Sequence, residues 1–288
     1  MKKSVALVLS SGGSRGLAHI GVINELSKQG FQISSVSGSS IGAVIGGLYA
    51  IGKLPEYTTW AKTLNRKAIW GLMDFTLTTN GLLKGDKVFE KMKTFIPDMN
   101  IEKMNIPFVA VATDILNEEE VAFRSGSFYE AIRASTAIPT IITPAKYNDT
   151  ILLDGGVLNP IPIEHVVRNG NDILVVVNLY GDKRNELEIS TSLSKNQNPS
   201  KLDSLLNTIS KLIITGDKRS LGYLSLLSAT TSAMIHKIAK QNIEIHKPDI
   251  LINIPCDTGD TFDFHKADEL IKLGEMAARE AIDKYMMN

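Results

Sequence analysis

The chain has 288 residues, enough for one large α/β domain or two small ones. Its 31 basic and 31 acidic side chains cancel, which argues against a nucleic-acid partner, since that would call for a basic surplus. A membrane contact stays possible, because apolar contact needs no net charge. The single cysteine, Cys256, excludes an internal disulfide and fits a reducing, cytoplasmic location.

The first predicted elements alternate between strand and helix. The apolar run Ser4–Leu9 predicts a buried strand, although the lysines before it also fit a short signal peptide. A glycine-rich turn and a helix ending near Gly30 follow. Ile33–Ser37 then predicts a second strand, and Ala43–Ile51 a second helix. Two strand–turn–helix units in succession favour a parallel sheet with crossover helices.

Residues 33–52 carry no charged side chain, and a stretch of that length can cross a bilayer. The same stretch holds five serines and five glycines in a strand–turn–helix pattern. We therefore favour a soluble segment that packs closely against the sheet.

Further elements are predicted along the rest of the chain. Residues 54–95 read as helical and irregular. The other predicted strands and helices are a strand at Pro107–Thr113, a pairing segment at Val121–Arg124, a helix at Phe128–Ser135, short strands at Ile151–Leu153 and Ile173–Leu179, a last strand at Ile250–Ile254 and a closing helix at Lys266–Tyr285.

The C-terminal part contains a polar segment over residues 184–200 and two apolar stripes at helical spacing. The first stripe runs from Leu202 to Ile213 and the second from Leu224 to Ile238. They predict two helices that cover the sheet, or alternatively a lid or lipid-facing cap. We expect residues 1–185 to form a catalytic core, and residues 186–288 a helical region that completes the same domain.

The turn Gly38-Ser39-Ser40-Ile41-Gly42 has the G-x-S-x-G pattern of a nucleophile elbow. A serine on a sharp strand-to-helix turn brings its neighbours two residues away very close, so Gly38 and Gly42 must lack side chains. The following helix also directs its N-terminus at developing negative charge. The alternative is a serine-rich and glycine-rich turn without chemistry.

A second glycine-rich turn, Gly12-Gly13-Ser14-Arg15, precedes the first helix. Backbone N–H groups in such a turn can bind the oxyanion of acyl transfer, and Arg15 can add charge or hold the loop. A phosphate-binding loop fits poorly, because no Gly-Lys-Ser/Thr sequence ends the turn.

The third element is Asp154-Gly155-Gly156, after a predicted strand. A carboxylate at the carboxyl end of a strand lies where doubly wound sheets place their sites, and it can accept a serine proton. The alternative is an aspartate that caps its own turn.

These three motifs, in this order, resemble the patatin-like phospholipase family. Arg133–Pro139 and Asn159–Pro162 also resemble it, and the likeness covers roughly residues 4–180. It is closest to bacterial single-domain members related to neuropathy target esterase. Ser11 is a departure, since many members have glycine there.

The resemblance implies a three-layer α/β fold with a mostly parallel sheet, helices on both faces and a helical C-terminal cap. It also implies a Ser40–Asp154 dyad without histidine, an oxyanion loop over Gly12–Arg15, and no metal or cofactor. The expected substrate is a carboxylic ester in a lipid, cleaved by a phospholipase or lysophospholipase reaction.

Two alternatives remain open at this point. One is acyl transfer to an acceptor other than water, which in structurally similar transacylases uses a histidine base. The other is a non-enzymatic regulatory scaffold. The chain has five histidines, and none lies in a distinctive motif: His19, His165, His236, His246 and His265.

Overall fold

The structure, a computed structural model, describes residues 3–76, 81–183 and 223–287. The described strands are β1 Lys3–Leu9, β2 Phe31–Ser39, β3 Phe108–Asp114, β4 Glu119–Phe123, β5 Ala145–Tyr147, β6 Thr150–Asp154, β7 Ile173–Gly181 and β8 Ile250–Pro255. The described α-helices are α1 Leu17–Lys28, α2 Ile41–Ala50, α3 Leu54–Lys62, α4 Arg66–Leu72, α5 Asp86–Lys93, α6 Phe128–Ser135, α7 Tyr223–His246 and α8 Ala267–Met287.

The strands and helices predicted within these ranges are confirmed, with small shifts at their ends. Next to the candidate nucleophile, β2 ends at Ser39 rather than at Ser37, and α2 begins at Ile41, directly after Ser40, rather than at Ala43. The polar segment 184–200 and the apolar stripe from Leu202 to Ile213 lie outside the described residues.

The sheet is mostly parallel, as predicted. Strand β1 lies between β2 and β7 and runs parallel to both, while β3 and β8 extend the parallel part at either end. The antiparallel pairs lie at one end, where β4 and β6 pair with β3 and β5 pairs with β6.

The two faces of the sheet bury alternate residues of each strand. On one face, Val5, Leu7 and Leu9 belong to the large core that includes buried residues of α1, α2 and α8. On the other, Ala6 and Val8 pack in a smaller core with the segment after β6 and with α7. Among the described helices, none is both long enough and apolar enough to cross a membrane.

Strands β2 and β6 meet end to end along one edge of β3. Residues Ala110–Asp114 of β3 pair with β4 without interruption, so β4 occupies one edge. The other edge pairs with β2 up to Val111 and with β6 from Ala112 onward. The last residue of β2, Ser39, pairs with Val111, and the last residue of β6, Asp154, pairs with Ala112.

This arrangement corrects the reason given above for the location of Asp154. In a doubly wound sheet, sites lie at the edge where the carboxyl ends of the parallel strands meet. Strand β6 is antiparallel to β3, so this rule does not explain where its carboxyl end lies. Asp154 comes close to Ser40 because the two strands run toward each other along β3 and both end there.

Candidate active site

Ser40 lies in a strained backbone conformation between β2 and α2, with φ 56° and ψ −124°. The turn lies so close to its surroundings that neither Gly38 nor Gly42 could carry a side chain. A Cβ on Gly42 would lie 2.2 Å from the carbonyl oxygen of Leu9, and one on Gly38 would lie 2.4 Å from the Gly42 backbone. The turn thus has the geometry that the elbow pattern predicts.

Ser135, at the end of α6, holds the backbone of this turn. The Ser40 N–H donates to the Ser135 hydroxyl at 2.8 Å, and that hydroxyl donates to the carbonyl oxygen of Val111 at 2.6 Å. No role for Ser135 was predicted from the sequence, where it was named only within Arg133–Pro139, the stretch that resembles the family. The only sequence signal for such a role was the position of Ser135 within this stretch, two residues after Arg133.

The Ser40 hydroxyl donates directly to the Asp154 carboxylate, with 2.5 Å between Oγ and Oδ2. The other carboxylate oxygen accepts the Gly156 N–H at 2.7 Å. Gly155 allows this approach, since a Cβ there would lie 2.1 Å from the carbonyl oxygen of Val111. Burial raises the pKa of Asp154 to about 6, against the opposing effect of these two hydrogen bonds. A carboxylate of this kind is matched to proton transfer near neutral pH.

In the glycine-rich loop, Ser14 and Arg15 act as anchors. The Ser14 N–H donates to the carbonyl oxygen of Thr261 at 3.0 Å, and the Ser14 hydroxyl donates to the backbone carbonyl oxygen of Asp260 at 2.6 Å. The Arg15 guanidinium donates to the carbonyl oxygens of Gly12, Leu179 and Cys256. The Ser14 N–H and hydroxyl, and the Nε and Nη1 of Arg15, are therefore already engaged. That residues 12–15 form the oxyanion loop stays a prediction.

Gly12 and Gly13 differ from these anchors. Within the described residues, neither backbone N–H has a hydrogen-bond acceptor. Gly13 has φ 60°, which favours glycine, and it lines the same pocket as Ser40. Both N–H groups are therefore free to donate to a bound ligand.

A largely apolar pocket opens at Ser40, with an empty volume of about 1010 Å³ that includes the open solvent at its mouth. Besides Ser40 and Gly13, its walls come mainly from α3, α4 and α5 and from the segments around residues 136–142 and 261–264. The described helix α7 contributes no residue to the lining of this pocket. That part of the C-terminal region forms a lid or a lipid-facing cap stays a prediction. The region of residues 54–95, predicted to be helical and irregular, supplies most of the residues that line the pocket.

The model of the patatin-like phospholipase family matches residues 7–167, more than half of the chain. The chain belongs to this family. Its motifs, from the glycine-rich loop to the segment after Asp154, fall within the matched range, and the predicted resemblance is confirmed.

This patatin family member is similar in sequence to proteins named for the NTE family, and in fold to one solved structure. An uncharacterised NTE family protein of Mycobacterium bovis is 29% identical, over 98% of this chain and 92% of its own. Lysophospholipase NTE1 of Meyerozyma guilliermondii is 28% identical over 96% of this chain, which spans 19% of that much longer protein. VipD from Legionella pneumophila has a TM-score of 0.50 at 14% identity, over 99% of this chain and 67% of VipD, a likeness of fold alone.

No histidine of the described residues contacts Ser40 or Asp154. His19 is fully buried, its Nε2 donates to the Ser10 carbonyl at 2.9 Å, and burial lowers its pKa to about 4. The other four have partners elsewhere: His165 contacts Glu120, His236 contacts Tyr180, His246 contacts Glu164, and His265 contacts Asp263.

One group in the described part of this family member could supply metal ligands. Ligand atoms of Glu120, Glu164 and His165 lie within 4.8 Å of one another. The His165 Nε2–H donates to Glu120, and Arg124 donates to Nδ1. A ligating histidine normally donates its second ring nitrogen to an acceptor, so a guanidinium at Nδ1 does not suit a metal site. That the chain uses no metal stays a prediction.

Proposed function

We propose that the chain hydrolyses carboxylic esters of lipids, with Ser40 as the nucleophile and Asp154 as the base. The observation that carries the proposal is the direct hydrogen bond of 2.5 Å between the Ser40 hydroxyl and the Asp154 carboxylate. Both groups are buried, and the serine faces an apolar pocket. Membership of the family, and the lysophospholipase name of one relative, support a lipid ester as the substrate.

In the proposed reaction, Ser40 Oγ attacks the ester carbonyl carbon while Asp154 takes the hydroxyl proton. The N–H groups of Gly12 and Gly13 bind the resulting oxyanion. As the tetrahedral intermediate collapses, the proton passes from Asp154 to the leaving alcohol oxygen, and an acyl ester forms on Ser40. Asp154 then takes a proton from water, whose oxygen attacks the acyl ester. The proton returns to Ser40 as the carboxylic acid leaves.

The pocket suits an acyl chain rather than a headgroup. Its described walls are mostly aliphatic and aromatic, and their one carboxylate, Asp74, is already engaged. Asp74 accepts the backbone N–H groups of Gly85, Asp86 and Lys87 at the start of α5. No charged group of the lining is therefore free to recognise a polar headgroup, and we expect the headgroup to lie outside.

The test is a panel of p-nitrophenyl esters of increasing chain length, a lysophospholipid and a diacyl phospholipid. Ser40→Ala is compared with Ser39→Ala, which removes the neighbouring buried hydroxyl, one that has no hydrogen-bond partner in the described structure. We expect Ser39→Ala to retain turnover and Ser40→Ala to lose about a thousandfold or more in kcat.

Near-normal hydrolysis by a folded Ser40→Ala protein would contradict the proposal. Transfer of the acyl group to a supplied alcohol, without release of free acid, would point instead to the acyltransferase alternative. Absence of turnover on the whole panel would favour the regulatory scaffold.

A further inference from the structure

Ser11 precedes the two glycines of the loop and is held at two points. Its backbone N–H donates to the carbonyl oxygen of Pro160 at 2.9 Å. Its hydroxyl shares a short hydrogen bond with the hydroxyl of Tyr180 on β7. The Ser11 residue is 4% exposed, so solvent does not compete for these bonds.

The Ser11 hydroxyl also lies beside the turn that follows Asp154. A Cβ on Gly156 would lie 2.6 Å from Ser11 Oγ and 3.0 Å from Asp154 Oδ1. The two oxygens therefore flank the same point of the turn, on the side of Asp154 away from its contact with Ser40. The absence of a side chain on Gly156 is what lets the loop approach this closely.

Tyr180 is suited to donate this hydrogen bond. Burial raises the pKa of Tyr180 to about 12, so the phenol keeps its proton at neutral pH. The ring is fixed by its neighbours, with the His236 ring edge-on at 4.9 Å and the Arg15 guanidinium 5.8 Å from its centre. Its backbone N–H donates to the side chain of Asn178 at 3.0 Å.

We infer that Tyr180 and Ser11 are a positioning pair that orients the N–H of Gly12 toward the oxyanion. That N–H belongs to the peptide plane between Ser11 and Gly12. Glycine has no side chain with which to fix the plane, and its dihedrals are the freest of any residue. The hydrogen bonds of Ser11 hold one end of this plane. The next peptide plane, between Gly12 and Gly13, is held by the Arg15 guanidinium, which donates to the Gly12 carbonyl at 3.1 Å.

The inference rests on the proposed function, since it assigns the pair to the oxyanion of that reaction. A donor displaced by a fraction of an ångström binds the ground-state substrate as before but stabilises the transition state less. Loss of the pair should therefore lower kcat and leave KM nearly unchanged. A purely structural contact would lower stability without this separation.

The experiment is a double-mutant cycle with Tyr180→Phe, Ser11→Ala and the combined variant, assayed on a soluble short-chain p-nitrophenyl ester. We expect each single variant to lose about tenfold in kcat, with KM within about twofold of the wild type, and the combined variant to lose little more than either one. Tyr129→Phe is the matched control, because its buried hydroxyl donates to the carbonyl of Ile96 at 2.9 Å and does not line the pocket.

A kcat for Tyr180→Phe within twofold of that of Tyr129→Phe would overturn the inference, as would additive losses in the combined variant. The rate at which a fluorophosphonate labels Ser40 is measured on the same proteins. If the wild type is labelled but hydrolyses no ester, the proposed function fails, while slower labelling of Tyr180→Phe still supports the pair. Equal labelling rates would overturn the pair, whatever the outcome for hydrolysis.

Discussion

Asp154 is 6% exposed, and its carboxylate accepts two hydrogen bonds, from the Ser40 hydroxyl and the Gly156 N–H. Two neutral donors compensate a buried negative charge only in part, which is why burial prevails and raises the pKa of Asp154 to about 6. This one environment has separate consequences for catalysis and for stability.

The first prediction concerns the acid limb of the pH–rate profile. Asp154 accepts a proton only when it is ionised, so kcat/KM should fall about tenfold per pH unit below a pKa near 6. Initial rates on a soluble ester between pH 4.5 and about 8.5 measure this. A profile that stays flat down to pH 4.5 would exclude a base with the raised pKa of Asp154.

The second prediction concerns stability. The pKa of Asp154 is raised on folding, so the folded state favours the protonated acid, and stability declines as pH rises from about 4 through about 6. Asp154→Asn is neutral at every pH and still accepts the Gly156 N–H. We expect it to be inactive, and more stable than the wild type by up to about 3 kcal/mol at pH 8, with the gain largely absent at pH 4.

Urea unfolding of both proteins at the two pH values measures this difference. Because every other titrating group is shared, its contribution cancels in the comparison of the two proteins. A stability difference that is the same at both pH values would show that burial of the Asp154 charge carries no cost.

The third prediction concerns Ser135, whose hydroxyl accepts the Ser40 N–H. In Ser135→Ala that N–H loses its partner, and the elbow is free to shift relative to Asp154. We expect kcat to fall by about tenfold to a hundredfold. Ser37→Ala is the control, because Ser37 is equally buried on β2 and donates to the carbonyl of Pro162 at 2.8 Å. Equal kcat values for the two variants, with similar unfolding midpoints, would leave Ser135 with no part in positioning the nucleophile.

At the scale of elements, the sequence predicts the strands and helices near the site but not the direction of β6. The runs Ser4–Leu9 and Ile33–Ser37 predict β1 and β2, and the glycine pattern around Ser40 predicts the turn between β2 and α2, because each is a local property of the sequence. A three-residue apolar run before Asp154 has no local feature that distinguishes a parallel from an antiparallel strand. Strand β3 is seven residues long and pairs with β2 over only four of them, and β6 pairs with the remaining three.

The contacts of Ser135 and Tyr180 were also beyond sequence reasoning. Ser135 meets Ser40 across 95 positions of the chain, and Tyr180 meets Ser11 across 169. Single polar residues at such separations leave no periodic signal, and the strand β7 would read the same with phenylalanine in place of Tyr180. The glycines were informative for the opposite reason, since a close approach excludes all other residue types.

Helices α3, α4 and α5 supply much of the pocket wall, which leads to a fourth prediction, on chain length. Val88 of α5 is partly buried and lines the pocket. Val88→Phe should shorten the space for an acyl chain, so the ratio of kcat/KM for a dodecanoyl ester to that for a butyryl ester should fall by about tenfold. Val121→Phe adds the same volume at a partly buried site on β4 that does not line the pocket. An unchanged ratio, or equal changes in both variants, would place the acyl chain elsewhere.

At the scale of the whole molecule, one part of the sheet forms the core and another part brings the candidate catalytic residues together. One face buries Val5, Leu7 and Leu9 in the large core with residues of α1, α2 and α8, and α2 directly follows the elbow. At the antiparallel end, β3 brings Asp154 to Ser40 from a strand of opposite direction. Under the proposed function, Ser40 follows the end of β2 and Asp154 ends β6, and both strands pair with β3. The Ser135 side chain holds the elbow, and the Arg15 side chain holds the glycine-rich loop.

The central claim is that Ser40 and Asp154 react as a pair without a histidine. The most direct measurement is fluorophosphonate labelling followed by peptide mapping, on the wild type, Ser40→Ala, Asp154→Asn and single replacements of His19, His165, His236, His246 and His265. We expect one label, on Ser40, that Ser40→Ala abolishes and Asp154→Asn slows by several orders of magnitude. The folded histidine variants should keep most of the rate. A label on another residue, or a folded histidine variant that loses as much as Asp154→Asn, would contradict the account.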